Sequence, residues 1–268
     1  MNYLEKLSQE GGSFFMLKNK FKIIFIILVL SSVLFVLTGC SKDDDDLIHD
    51  KIKEELYYIE NNLYSIVSKF AKGEYDENIL YDEMLQNITE NIGESIQIKV
   101  INFDEVKKDI AKINTSLDVT IIDLSEKVKD TNTILELSNN INNLSIDVGG
   151  EDINQILRDV NSLEKSVIKN YDVILEGDTQ NKKLKVLKSD VLECFVLSVT
   201  EENKDFSKEK INSIIDNFSN DIKDKEFVEE NSYLVNNIYI LLEEFKTAID
   251  SENEDLIKLK YISLIEIL

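Results

Sequence analysis

Two cysteines and one histidine are the side chains of this 268-residue chain best suited to nucleophilic chemistry. Cys194 lies in the apolar stretch Val191–Leu197, where we predict a helix and a buried thiol that packs as a small hydrophobic side chain. A cysteine or serine nucleophile needs a neighbouring base, and His49 lies far from Cys194, near the start of the first predicted helix. The sequence therefore argues against Cys/His and Ser/His catalysis.

Carboxylates are abundant, with 52 acidic residues against 30 basic ones. Pairs such as Glu54/Glu55 therefore indicate solvated helix faces rather than acid–base sites. The chain has no tryptophan to form a sugar platform, which argues against a glycosidase. Neither Asp43–Asp46 nor Asp250–Asp255 has the alternating ligands and central glycine of an EF-hand loop. With no zinc-ligand spacing and no phosphate-binding glycine loop, the sequence predicts no metal site, no cofactor and no enzymatic activity.

Cys40 follows a segment with the layout of an export signal. Lys18, Lys20 and Lys22 supply a positive start, and Ile23–Leu37 is an apolar run of 15 residues interrupted by two serines. This run is shorter than the ~20 residues that a helix needs to cross a bilayer. The sequence therefore predicts export followed by cleavage.

The four residues Leu37-Thr38-Gly39-Cys40 resemble the lipobox of bacterial lipoproteins. The resemblance implies that Leu37 is the apolar lipobox position and that Gly39 is the small residue before the cleaved bond. Cys40 would then be the new N-terminus, linked through its sulfur to diacylglycerol. Two acyl chains anchor a protein stably, so a lipid-anchored protein on the extracytoplasmic face of the cell membrane is expected. The alternatives are a cleaved soluble precursor and an uncleaved transmembrane anchor.

The signal peptide is predicted to end at residue 39 and to begin at Met16 rather than Met1. Glu5 and Glu10 do not fit the positive start of a signal peptide. The codons of Glu10-Gly11-Gly12 can contain a purine-rich ribosome-binding sequence a few codons before Met16. We therefore expect peptides from the precursor to lack residues 1–15.

The chain is strongly acidic, with a net charge of −22 that would become −24 after removal of residues 1–39. This charge argues against nucleic-acid binding, which needs a basic surface. It also disfavours lying flat on an anionic leaflet. Residues 40–46 are predicted to form a lipidated, acidic tether that Asp43–Asp46 keep extended by mutual repulsion.

The remaining sequence predicts an all-α protein, since it has no proline, eight glycines in the whole chain and apolar residues at helical spacing. Asn102–Glu105 and Ser251–Glu254 both match capping boxes, and Ser207 is a candidate N-cap. Two apolar columns repeat every seven residues over 227–249 and predict a wide buried stripe covered by more than one neighbour: Phe227, Leu234, Leu241, Ala248 and, beside them, Val228, Val235, Leu242, Ile249. The last helix is apolar on nearly every side and is predicted to be buried. The tyrosines at 57, 58, 64, 75 and 81 are predicted to be half-buried with outward hydroxyls. Helices are predicted over 47–73, 76–93, 103–128, 133–149, 151–176, 181–199, 207–220, 227–249 and 255–268.

We expect these helices to form an antiparallel bundle of long helices, with a solenoid as the alternative. Gly149-Gly150 is the candidate boundary between two packed subdomains, 47–148 and 151–268. The chain is similar in composition and layout to helical lipoproteins of clostridia-like Gram-positive bacteria. We expect a non-enzymatic interaction module that reaches the membrane through the lipid on Cys40 and binds an envelope protein or wall component. The alternative is a lipoprotein that binds a small solute or cation and delivers it to a membrane partner.

Overall fold

A computed structural model describes residues 42–73, 101–127, 130–174, 179–200, 204–221 and 225–268. These residues form eight α-helices, joined at one point by the 3-10 turn Val148–Gly150, and contain no strand. The all-α fold predicted from the sequence is confirmed. The helices are α1 (Lys42–Lys72), α2 (Phe103–Lys127), α3 (Thr131–Asp147), α4 (Ile153–Ile174), α5 (Thr179–Thr200), α6 (Asp205–Asp221), α7 (Lys225–Asp250) and α8 (Glu254–Ile265). The helix predicted over 76–93 lies outside the described residues.

Two predicted helix ends are confirmed. Gly73 ends α1 in the left-handed conformation, with φ of 62°, and its amide donates to the carbonyl of Lys69 at 3.0 Å. The Asn102 side chain accepts from the backbone amides of Asp104 and Glu105, which caps the start of α2.

Two predicted N-caps are wrong. Helix α6 begins at Asp205, so Ser207 lies inside its first turn, where the hydroxyl is buried and donates to the carbonyl of Lys204. Helix α8 is capped by Asn253, whose side chain accepts from the amide of Leu256 at 3.1 Å, and not by Ser251. The second error arises because Ser251 and Asn253 are both good N-caps.

The predicted wide apolar stripe of α7 is confirmed from Leu234 to Ile249, where it is covered by both α6 and α8, whereas the side chains of Phe227 and Val228 lie outside the described part of the chain. The last helix, which was predicted to be buried, is buried on one face only, through Ile257, Tyr261 and Leu264. One side of α8 faces solvent, where Leu259 is 57% exposed, and Lys260 pairs with Glu244 of α7 at 2.7 Å. The buried residues of the α7 stripe are Val235, Ile238, Leu242, Phe245, Ala248 and Ile249.

Four helices that are not all neighbours in the sequence form a closed ring. Helix α1 packs against α4, α4 against α5, α5 against α8, and α8 returns to α1. Helices α2 and α3 cover the α1/α4 side of this ring, and α6 and α7 cover the α5/α8 side. The bundle prediction is therefore realised as a four-helix centre with a helix pair on each flank.

The apolar core continues past Gly149-Gly150 without interruption. The 3-10 turn holds both glycines, and the left-handed residue that redirects the chain is Glu151, with φ of 56°. Helix α1 contacts α4 and α8, so the parts of the chain before and after this turn share one interior. The division into two subdomains stays a prediction.

We expect Gly73→Ala to lower the free energy of unfolding by about 1 kcal/mol, because an L-residue is strained at a left-handed φ. Urea unfolding followed by circular dichroism measures the change. Gly149→Ala is the matched control, since a Cβ there meets no atom within 4 Å and φ is not left-handed. Equal losses in the two variants would contradict this account of Gly73.

Candidate functional site

The predicted lipidation site, Cys40, and the lipobox residues Leu37, Thr38 and Gly39 lie outside the described residues. Helix α1 begins at Lys42, only two residues after Cys40. The backbone of Asp43–Asp46 is therefore helical, and the expectation of an extended acidic tether is wrong for these residues. Acidic residues are generally favoured in the first turn of a helix because of its positive dipole end.

Cys194 is fully buried, as predicted. Its thiol donates to the carbonyl of Ser207 at 3.4 Å, which joins α5 to α6. Burial raises the pKa of the Cys194 thiol well above its ordinary value, so the reactive thiolate is disfavoured. The structure gives this cysteine a packing role.

The tyrosines of α1 divide into two groups. Tyr57 and Tyr58 are largely exposed, whereas Tyr64 is buried and its hydroxyl donates to Glu164 Oε1 at 3.0 Å. The expectation of an outward hydroxyl is therefore wrong for Tyr64, because a buried carboxylate on α4 accepts its hydrogen bond. Tyr75 and Tyr81, which were also predicted to be half-buried, lie outside the described residues.

A cluster of charged and aromatic side chains lies inside the four-helix ring, and each helix of the ring contributes to it. We call it the central cluster; its members are Tyr57, Glu60 and Tyr64 of α1, Glu164 and Tyr171 of α4, Lys185 and Lys188 of α5, and Tyr261 of α8. Apart from Tyr57 and the two lysines, these side chains are at most 7% exposed. They form the candidate site because buried charges cost folding energy unless they are paired.

Glu60 and Lys185 form the ion pair of the central cluster, linking α1 to α5. The Glu60 side chain is 3% exposed and that of Lys185 is 18% exposed. The ammonium group of Lys185 also lies 4.1 Å from the ring centroid of Tyr171 and 5.5 Å from that of Tyr57. Glu60 therefore has a direct counter-charge, and two aromatic faces stabilise the lysine as cation–π partners.

Glu164 has no such counter-charge in contact. The Tyr64 hydroxyl donates a hydrogen bond to Glu164 Oε1. The other carboxyl oxygen, Oε2, is buried and has no hydrogen-bond partner among the described residues. Burial is the main cause that raises the pKa of Glu164, to about 8, and the neighbouring charge of Glu60 raises it further. The hydrogen bond from Tyr64 and the charges of Lys185 and Lys188 oppose this rise.

Two further hydroxyls of the central cluster are unpaired among the described residues, those of Tyr171 and Tyr261. Tyr261 stacks on Phe195, with ring centroids 4.1 Å apart and planes inclined by 18°. Burial and the nearby charge of Glu164 raise the pKa of Tyr261, so its hydroxyl stays protonated. The ammonium group of Lys188 lies over the Tyr64 ring, 4.2 Å from the ring centroid. The cluster therefore contains two tyrosine hydroxyls and one carboxyl oxygen of Glu164 that are buried without a hydrogen-bond partner among the described residues.

Sequence reasoning missed this cluster because it treated carboxylates as solvated. A usable signal was present in the spacing. Glu164 occupies a position in the apolar series Leu157, Val160, Val167 and Tyr171, which recurs every three or four residues along α4. Glu60 similarly falls between Leu56 and Leu63 on α1. An acidic residue within an apolar helical stripe indicates a buried charge.

Two surface cavities are lined by described residues. One has a volume of about 590 Å³ and lies between α5 and α6, with Leu184, Leu187, Ile214 and Phe218 among its lining residues. The other has a volume of about 530 Å³ and combines the apolar side chains of Phe70, Leu157 and Phe195 with polar Glu254 and Lys258. Neither is lined by the charged residues of the central cluster. Groups of three or more potential metal ligands are absent from the described part of the chain.

None of the described helices is long and apolar enough to serve as a membrane span. No known protein family model, no curated protein and no solved structure matches this chain.

Proposed function

We propose that this protein is a lipoprotein anchored through Cys40 on the extracytoplasmic face of the cell membrane, where its helical body binds another envelope protein or a wall component without catalysis. The observation that carries the proposal is the order of lysines, apolar run and Leu37-Thr38-Gly39-Cys40. The three features agree with one another, which is the criterion by which a local sequence signal gains weight.

The position of α1 supports a direct mechanical link between the proposed anchor and the body. This helix has 31 residues and is therefore about 46 Å long. It begins two residues after Cys40 and packs against α2, α4 and α8. A lipid on Cys40 would hold the whole bundle through its longest helix.

Exposed apolar side chains support the binding role. Val119 and Ile122 lie one turn apart on α2 and are 39% and 51% exposed. Tyr233 and Ile240 lie two turns apart on α7 and are 82% and 51% exposed. Apolar pairs on one helix face are suited to contact with a partner protein.

Lipidation is tested by feeding cells an alkyne-bearing fatty acid and detecting the label on the protein. We expect Cys40→Ser to abolish the label and the membrane association, because the acyl chains provide the anchor. Cys194→Ala is the matched control, since it removes the other cysteine and should keep both. Loss of the label in neither variant, or an unlabelled parent protein, would refute lipidation at Cys40.

The binding role is tested by a photo-crosslinking amino acid placed at position 122 on intact cells. We expect a discrete crosslinked product that disappears in the Cys40→Ser background, because release from the membrane separates the partners. The same crosslinker at the exposed polar residue Asn212 of α6 is the control. Equal products from both positions would indicate random collision and contradict a specific surface.

The alternative function, binding of a small solute, is favoured by the 530 Å³ cavity that Glu254 and Lys258 line together with apolar side chains. A cavity of this size suits a small molecule. A solute that raises the melting temperature of the parent protein but not of Val199→Phe, which would narrow this cavity, would favour the alternative. Absence of any specific crosslink from position 122 would point the same way.

A further inference from the structure

Glu164 differs from Asp109 and Glu193, two other acidic residues of limited exposure, by the balance of charges around it. Asp109 is held by Lys69 and Lys112 at 2.8 and 2.7 Å, and Glu193 is held by Lys165 and Lys210. Glu164 is 0% exposed, touches no lysine and receives one hydrogen bond, from a neutral tyrosine. An ionised carboxylate that is buried without a counter-charge carries a large desolvation cost.

The charged and titratable groups near Glu164 come from the three other helices of the ring. Helix α1 contributes Glu60 and Tyr64, and α8 contributes Tyr261. Helix α5 contributes Lys185, which is already paired with Glu60, and Lys188, which lies over the Tyr64 ring. Helix α3 packs on another face of α4, where Lys169 pairs with the exposed Glu136. One further carboxylate, Glu60, thus competes with Glu164 for positive charge inside the ring.

We propose that Glu164 is a proton-binding site in the centre of the bundle: it is protonated in the folded protein at neutral pH, and loss of this proton loosens the packing of α4 against α1 and α5. The geometry carries the proposal, because the unpaired Oε2 atom is sealed from solvent and faces a site with a second carboxylate. A neutral carboxylic acid needs no counter-charge there. Folding then binds a proton, and alkaline conditions oppose folding.

The direction of the pH effect follows from the shift. In the folded protein the pKa of Glu164 is about 8, against an ordinary value of 4.5. A raised pKa means that the stabilising protonated form is fully present below pH 4.5 and is lost as the pH rises towards 8. Within this window the unfolding constant should rise about tenfold for each pH unit through this group alone.

The experiment compares urea unfolding of the full-length protein in detergent with that of Glu164→Gln from pH 5 to pH 9. Glutamine has the shape of the protonated acid but does not titrate. The two proteins should be similar at pH 5, and the parent should become progressively less stable than the variant above pH 6. Because Asp159 and the acidic surface titrate in both proteins, the difference between them isolates Glu164.

Glu193→Gln is the matched control, since Lys165 and Lys210 hold the pKa of Glu193 below its ordinary value. Glu193→Gln should be less stable than the parent at every pH above about 5, whereas Glu164→Gln should be more stable than the parent at high pH. A constant offset between the parent and Glu164→Gln across the pH range would overturn the proposal. If Glu164→Gln fails to fold, carbon-13 NMR of labelled glutamate carboxyls in the parent decides the matter. All glutamates titrating near pH 4.5 would refute the proton site, and one titrating near pH 8 would support it.

Discussion

Replacement of Lys185 by methionine is expected to lower the free energy of unfolding by about 3–5 kcal/mol. The change leaves Glu60 charged, buried and without its direct partner, and a buried ion pair broken on one side costs this much because the remaining charge is desolvated. The cation–π contacts with Tyr57 and Tyr171 are lost as well. Urea unfolding at pH 7 measures the change. The double variant Glu60→Gln/Lys185→Met should recover part of the loss, because no uncompensated charge remains at position 60.

The control for this prediction is Lys169→Met, which breaks the exposed pair between α4 and α3. Lys169 and Glu136 are 53% and 44% exposed, and an exposed ion pair contributes at most about 1 kcal/mol. A loss in Lys185→Met no larger than that in Lys169→Met would show that solvent reaches Glu60. That result would also remove the basis for treating the central cluster as desolvated.

Phe195→Ala is expected to destabilise the protein by about 3–5 kcal/mol, the usual cost of emptying a buried aromatic position. Phe195 is 1% exposed and stacks on Tyr261, so its loss leaves a cavity where α5 meets α8 and frees one face of the Tyr261 ring. Thermal or urea unfolding measures the effect. Phe206→Ala is the matched control, since that phenylalanine is 58% exposed, and it should cost less than about 1 kcal/mol. Comparable losses in the two variants would contradict the placement of Phe195 in the ring.

The sequence was sufficient to predict the all-α fold and several helix ends. Where one residue type dominates the local energetics, prediction succeeded: Gly73 provides the left-handed stop of α1, and Asn102 provides the N-cap of α2. The seven-residue spacing along α7 likewise identified a buried stripe, because helical periodicity reports directly which face is apolar.

Prediction failed where neighbouring residues compete for the same role. In the stretch before α8, Ser251 and Asn253 are both good N-caps, so the choice between them depends on tertiary packing. Periodicity also says nothing about which helix covers which face. The contact of α1 with α4 and α8 joins residues far apart in the sequence, and no local signal specifies it.

The central cluster could be predicted only in part. Glu60 and Glu164 interrupt apolar stripes, and this pattern marks both as buried. The pairing of Glu60 with Lys185, and the lack of a pair for Glu164, depends on the relative positions of three helices. The composition is a poor guide to these two residues. In a chain with 52 acidic residues, a given glutamate is expected to be a solvated surface residue.

The closure of the ring between α1 and α8 affects the order in which the chain can mature. A ribosome delivers a polypeptide from its N-terminus, so α1 emerges long before α8. Leu56, Ile59 and Leu63 of α1 are fully buried in the finished protein, and α1 gains its contact with α8 only when residues 254–265 have been delivered. The part of α1 that packs on α8 therefore stays uncovered until the end of synthesis, a period in which chaperone binding and proteolysis compete with folding.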